Sequence, residues 1–196
     1  MVVNIILPAN ANNINKKEEN LYNFKDLSII MMPSYDKYSE LWNPAFEIFF
    51  KYWSSLNNKY SYAPIYLMSN EEKFDHPRVT NILVGDADKG WSSNFLKALE
   101  SVKTKYVVIV LDDYILNAPV NEKRLAQILN LMRKTNAAYT EIALDPSIND
   151  GPPVQGIDNV HIRERFGPYR TSLQACIWEV NTLIMASKTR RKYMGF

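Results

Sequence analysis

The feature that most constrains the fold is Tyr106-Val107-Val108-Ile109-Val110-Leu111, an apolar run without alternation that closes on Asp112-Asp113. A strand with one wet face alternates apolar and polar residues. A run without alternation therefore reads as a strand covered on both faces, as in parallel sheets flanked by helices. On either side of it the chain repeats a strand-then-helix rhythm. Leu27 to Met32, Pro64 to Ser69, Val79 to Val84 and Ala138 to Leu144 read as further strands. Between them, Trp42, Ala45, Phe46, Phe49, Phe50 and Trp53 fall on one helical face, with Asn43-Pro44 as its expected start. Trp91, Phe95, Ala98, Leu99 and Val102 form a second face, with Ser92 or Ser93 expected as its cap, and Asn121 caps a third helix carrying Leu125, Ile128, Leu129 and Met132. The expectation is an α/β domain with a mainly parallel central sheet flanked by helices.

After Leu144 the rhythm breaks into a loop-like stretch rich in Pro and Gly. Leu173, Ala175 and Ile177 then alternate with Ser172, Gln174 and Cys176, as a half-buried strand would. The domain is expected over 27–186, preceded by an Asn-rich leader at 1–26 and followed by a basic tail at 187–196. The chain's 196 residues suit one full domain, or two small ones at most, and 46% apolar residues suffice for a core. The net charge of +2 comes from the tail. Without Lys188, Arg190, Arg191 and Lys192 the balance of 23 basic and 21 acidic residues turns slightly acidic, which argues against a nucleic-acid partner. One cysteine, Cys176, excludes an internal disulfide framework and multi-cysteine zinc. No apolar run reaches the length of a transmembrane segment, and Val2 to Leu7 lacks the length and basic flank of a signal peptide.

In an open parallel sheet, ligands bind beyond the carboxyl ends of the strands. Asp112-Asp113 stand at such an end. Adjacent carboxylates repel unless a cation or a donor-rich ligand lies between them, so they suit a divalent metal shared with a phosphate ligand. The bland alternative is a capping Asp beside a solvated one. Asp86 and Asp88 lie in Gly85-Asp86-Ala87-Asp88-Lys89-Gly90, after another strand. There Asp86 reads as a solvated turn residue, and Asp88 with Trp91 stands closest to the start of the next helix.

Taken in order, Pro33-Ser34-Tyr35-Asp36, Gly90-Trp91-Ser92, Asp112-Asp113-Tyr114 and the segment Tyr169 to Trp178 resemble nucleotide-sugar glycosyltransferases with the GT-A fold, of the bacterial polysaccharide type. The resemblance covers about residues 27–183. It implies that Ser34, Tyr35 and Asp36 lie against the base and ribose of the donor, bordered by Asp88 and Trp91. Asp112 would then reach the ribose, and Asp113, with Asp112, would hold Mn²⁺ or Mg²⁺ on the diphosphate, offsetting the charge of the leaving group. In the family these residues play the part of an Asp-x-Asp motif; its third position here is Tyr114 rather than Asp, which ties donor binding to the site more firmly than metal dependence. Arg170, Gln174 and Trp178 would face the transferred sugar or the acceptor, against the bland reading of an amphipathic strand with Trp178 packed inside. A carboxylate base would come from Glu164, which stands in a charged cluster, or from Glu179. His161 reads as a solvated or hydrogen-bonded residue near a loop, or as a late metal ligand.

The resemblance thus implies an enzyme moving a sugar from a nucleoside diphosphate, UDP by expectation, to a glycan or lipid-linked acceptor. It would work in the cytoplasm, with the basic end suited to the inner face of an anionic membrane. Members of this kind continue into an acidic, Trp-containing segment, so the resemblance implies either that the chain is C-terminally truncated or that it places its base elsewhere. The alternative is accordingly a catalytically silent nucleotide-sugar-binding domain. A nucleotidyltransferase ranks lower, because Pro33-Ser34-Tyr35-Asp36 stands where a Gly-rich phosphate loop would be.

Overall fold

A computed structural model describes residues 3–6, 24–53, 63–85, 90–111, 114–142, 151–163, 171–173 and 175–194. The strands are β1 (Val3–Ile6), β2 (Leu27–Pro33), β3 (Ile65–Ser69), β4 (Val79–Leu83), β5 (Tyr106–Val110), β6 (Tyr139–Glu141), β7 (Val160–Ile162) and β8 (Cys176–Glu179). The helices are α1 (Ser39–Tyr52), α2 (Trp91–Ser101), α3 (Glu122–Thr135) and α4 (Val180–Met194), with a 3-10 turn at Asp36–Tyr38 leading into α1.

The strands form one sheet in the order β4-β3-β2-β5-β8-β6-β1-β7. β4, β3, β2 and β5 pair in parallel. β8 then enters antiparallel to both β5 and β6, β1 is antiparallel to β6, and β7 runs parallel to β1. The α/β class is as expected, but the sheet is mixed, with the parallel pairing concentrated in one half.

The unalternating run explains itself once both faces are seen. Tyr106, Val108 and Val110 of β5 enter one core layer, with α1 and α3; Val107 and Ile109 enter the other, with α2 and α4. Successive side chains point to opposite faces, so a strand clothed on both sides must be apolar throughout. Each such side chain contributes roughly 1.5–3 kcal/mol of burial. β8 is also an inner strand. Cys176, Ile177 and Trp178 are all buried, so the half-buried alternation expected at 172–177 is corrected: the strand starts later and has no wet face.

Two helix starts are corrected as well. α1 begins at Ser39, four residues before the expected Asn43, and Pro44 sits inside it. The 3-10 turn starts the coil earlier, which puts Pro44 sixth in the helix, past the first turn where a missing N–H costs nothing, so the helix forgoes one internal hydrogen bond there. α2 is preceded by Gly90, with φ +80°, rather than capped by Ser92 or Ser93. A positive φ is open to glycine at little cost, and it lets the chain turn sharply into the helix. For α3 the reading holds: the Asn121 side chain accepts the Arg124 N–H at 3.0 Å.

At the two ends, Val3–Ile6 pairs within the sheet, and α4 continues as helix through residues first read as tail. Among the described residues, no helix is long and apolar enough to cross a membrane.

Candidate functional site

The parallel block contains a change of direction. From β2 the chain steps outward to β3 and β4, then returns to place β5 on the other side of β2. Loops leaving neighbouring strands in opposite directions leave a crevice between them at the carboxyl edge, and such switch points bind ligands. Met31 pairs with Val110, so the two exits, at Ser34 and Leu111, lie side by side.

The residues after β2 are held in place. Ser34 is buried, and its Oγ accepts the Trp42 indole N–H at 3.1 Å. Its backbone N–H donates to Met68 O at 3.0 Å. Tyr35 is half-buried and leads into the 3-10 turn. The Asp36 carboxylate accepts the backbone N–H groups of Asn70, Glu71 and Glu72 at 2.9, 3.0 and 3.2 Å. It therefore ties the exit of β2 to the exit of β3, and three of its roughly four lone-pair sites are spent within the fold.

After β5, Leu111 O accepts the Tyr114 N–H at 3.0 Å, and Tyr114 packs on the α1–α3 core layer. Asp112 and Asp113 lie outside the described residues, as do Asp86, Asp88, Glu164, Arg170 and Gln174. Among the described residues, no three His, Cys, Asp or Glu side chains converge as a metal site.

Trp91 and Trp178, far apart in sequence, come together. Both line a pocket of about 280 Å³ between the start of α2, the Thr171–Leu173 segment and the middle of α4. Trp91 stacks on Phe95, with ring centroids 4.9 Å apart. Trp178 is buried, as its bland reading expects, yet it also forms a wall of this pocket. Its indole N–H donates to Ser172 O at 3.3 Å, while the Ser172 N–H donates to the Tyr139 hydroxyl at 3.1 Å. Tyr139 thus clamps the segment that leads into β8.

Beside that clamp lies a polar cluster that the sequence reading missed. Glu141, the last residue of β6, pairs with Arg163 at 3.6 Å, and both are buried. Burial pushes the Cys176 thiol and the Tyr139 phenol far above their ordinary ranges, and Glu141 adds to both shifts. Both groups therefore stay protonated and neutral at physiological pH. The available signal was an Arg placed directly after Val160-His161-Ile162, two of whose three residues are apolar, where an unpaired charge would be costly to bury.

Two further residues have defined partners. The Glu179 carboxylate accepts the N–H and the hydroxyl of Thr182, both at 2.7 Å, and so caps α4. Glu179 pairs with Tyr106, the first residue of β5, which puts it at the edge opposite the crevice. That position speaks against Glu179 as a base at the crevice. His161 is hydrogen-bonded through Nδ1 to Gly151 O at 3.0 Å, in line with its bland reading.

In comparison with known proteins, the chain matches no protein-family model and no curated protein.

Proposed function

We propose that the protein is a GT-A-like glycosyltransferase that moves a sugar from a nucleoside diphosphate, UDP by preference, to a glycan or lipid-linked acceptor. The observation that carries the reading is the switch point between β2 and β5, with Ser34–Asp36 at one exit and Leu111 and Tyr114 bracketing two aspartates at the other. A nucleotide needs a rigid floor for its base and ribose, with separate charge compensation for its phosphates. The bonded Ser34–Asp36 loop suits the first task, and the Asp112-Asp113 pair, through Mn²⁺ or Mg²⁺, suits the second. When bound, such a cation would stabilise the departing diphosphate. The described residues supply no ligand set of their own, so the metal assignment stands on those two aspartates. Glu164 is the proposed base, and the proposed setting is cytoplasmic, at the inner face of a membrane.

A second reading, a nucleotide-sugar-binding domain without turnover, gains from one observation. Glu179, one of the two carboxylates considered as base, faces away from the crevice and is spent on a helix cap. One experiment separates the two. UDP with Mn²⁺ raises the melting temperature under both readings, and consumption of UDP-sugars occurs only under the first. If neither nucleotide nor metal changes the melting curve, both readings fail. Within either one, Asp113→Asn should weaken UDP binding at least tenfold more than Asp86→Asn by calorimetry; equal effects would remove the aspartate pair from the site.

A further inference from the structure

We propose that the amino edge of the parallel strands, opposite the crevice, is a docking face for an anionic lipid bilayer. The inference rests on the membrane setting proposed above and gives that setting a surface. Among the described residues, four exposed lysines lie along this edge. Lys105 stands directly before β5, its ammonium 5.2 Å from the centre of the Tyr106 ring, and Lys103 stands two residues earlier. Lys25 lies two residues before β2, whose Leu27 pairs with Tyr106, and Lys134 lies in the last turn of α3. Two more cations, Arg133 and Lys188, are held at the same edge by Asp26 and Glu100. The third carboxylate there, Glu179, is bound by Thr182. Six cations thus stand against three carboxylates, all of which already have partners.

The opposite edge has the reverse charge. Asp36, Glu40, Glu71 and Glu72 follow β2 and β3, against Lys37 and Lys73, and Asp112-Asp113 follow β5 in the sequence. A flexible polyanion such as RNA, able to wrap, would meet that acidic edge. A flat surface touches one edge only. Five-residue strands hold the two edges about 17 Å apart, at roughly 3.3 Å per residue, whereas charges are screened over about 8 Å at physiological salt. The lysines also extend from α3 across the sheet to α2 instead of converging on one point, which suits many headgroups rather than a single phosphate. The basic end of α4 is not part of this face. α4 starts beside Lys105, whose carbonyl accepts the Val180 N–H at 2.9 Å, and passes the start of α2 at Ala186 and Ser187. Arg190, Arg191 and Lys192 therefore fall at its far end. Docked by the amino edge, the protein opens its crevice away from the bilayer. The sugar would then be added where the acceptor stands clear of the headgroups, which favours a glycan already begun over a bare lipid phosphate.

The test is cosedimentation of the full chain with phosphatidylcholine vesicles, with and without phosphatidylserine at about one lipid in four. Each lysine near such a surface strengthens binding roughly fivefold. The expected result is binding to the mixed vesicles only, lost at about 1 M salt, where the screening length is about 3 Å. Lys103→Gln with Lys105→Gln should weaken binding about twentyfold, and Lys103→Arg with Lys105→Arg should keep it. Combined Arg190→Gln, Arg191→Gln and Lys192→Gln should weaken it far less than the lysine pair. Binding unchanged in the Lys103→Gln, Lys105→Gln variant, or reduced more by the α4 variant, overturns the docking face and leaves the membrane setting standing. No binding to any vesicle overturns both. Tighter binding to an RNA homopolymer than to the mixed vesicles at the same salt overturns the bilayer as partner. The UDP-dependent rise in melting temperature, measured on the same variants, reads the crevice separately, so the transferase reading can fail without this one.

Discussion

Asp36 binds three backbone N–H groups of the loop after β3, a tie spanning more than thirty residues of sequence. Asp36→Ala leaves those donors to water and should cost about 1–2 kcal/mol in urea unfolding. Asp36→Asn, which keeps an acceptor oxygen, should recover part of that loss. Unchanged stability in both variants would mean that the loop does not depend on the tie. Cys176 makes a different prediction. Burial raises its folded pKa far above the unfolded value of about 8.5, so the unfolded chain gives up the thiol proton first. Its contribution is complete below about pH 8.5 and is lost as pH rises, at up to about 1.4 kcal/mol per pH unit. Tyr139 and Tyr106, both raised chiefly by burial, act in the same direction above pH 10. Unfolding free energy should therefore fall between pH 8.5 and 10, and Cys176→Ala should flatten that slope while lowering stability at pH 7. A slope unchanged in the variant would assign it to other groups.

Among the elements, those with a strong internal period were legible from sequence and those shaped by neighbours were not. The α1, α2 and α3 stripes supply the buried faces of their helices, because a 3.6-residue repeat of apolar side chains has few other uses. The start of α1 was misread because Asn-Pro imitates a cap; the 3-10 turn that really begins the coil has no such sequence mark. β8 was misread as half-buried because its polar neighbour Ser172 belongs to the preceding segment, which Tyr139 holds. The Asn121 cap was legible because its chemistry is local, and Asn121→Ala should cost about 1 kcal/mol by chemical denaturation. Gly151 could not be singled out from sequence. It lies against the Ile162 carbonyl beside the 152–162 hairpin, and a Cβ on residue 151 would sit 1.6 Å from that oxygen. Gly151→Ala must displace the hairpin, with an expected loss of about 1–3 kcal/mol. A neutral substitution there would contradict the close approach.

At the scale of the whole molecule, two helical layers flank the one sheet that the described strands form, and the order of those strands decides where a ligand can enter. The parallel half was foreshadowed by the strand–helix rhythm. The insertion of antiparallel β8 between β5 and β6 was not, since pairing between distant segments leaves no periodic trace in the sequence. The convergence of Trp91 with Trp178 has the same origin: it follows from α4 folding back along α2, which only the assembled chain reveals. The central claim is that a nucleoside diphosphate enters between the exits of β2 and β5, and amide hydrogen exchange with and without UDP and Mn²⁺ tests it most directly. The account predicts slowed exchange in peptides covering residues 34–38 and 111–116, with the far edge around Glu179 unchanged. Protection at that far edge instead, or no protection anywhere at saturating nucleotide, would contradict it.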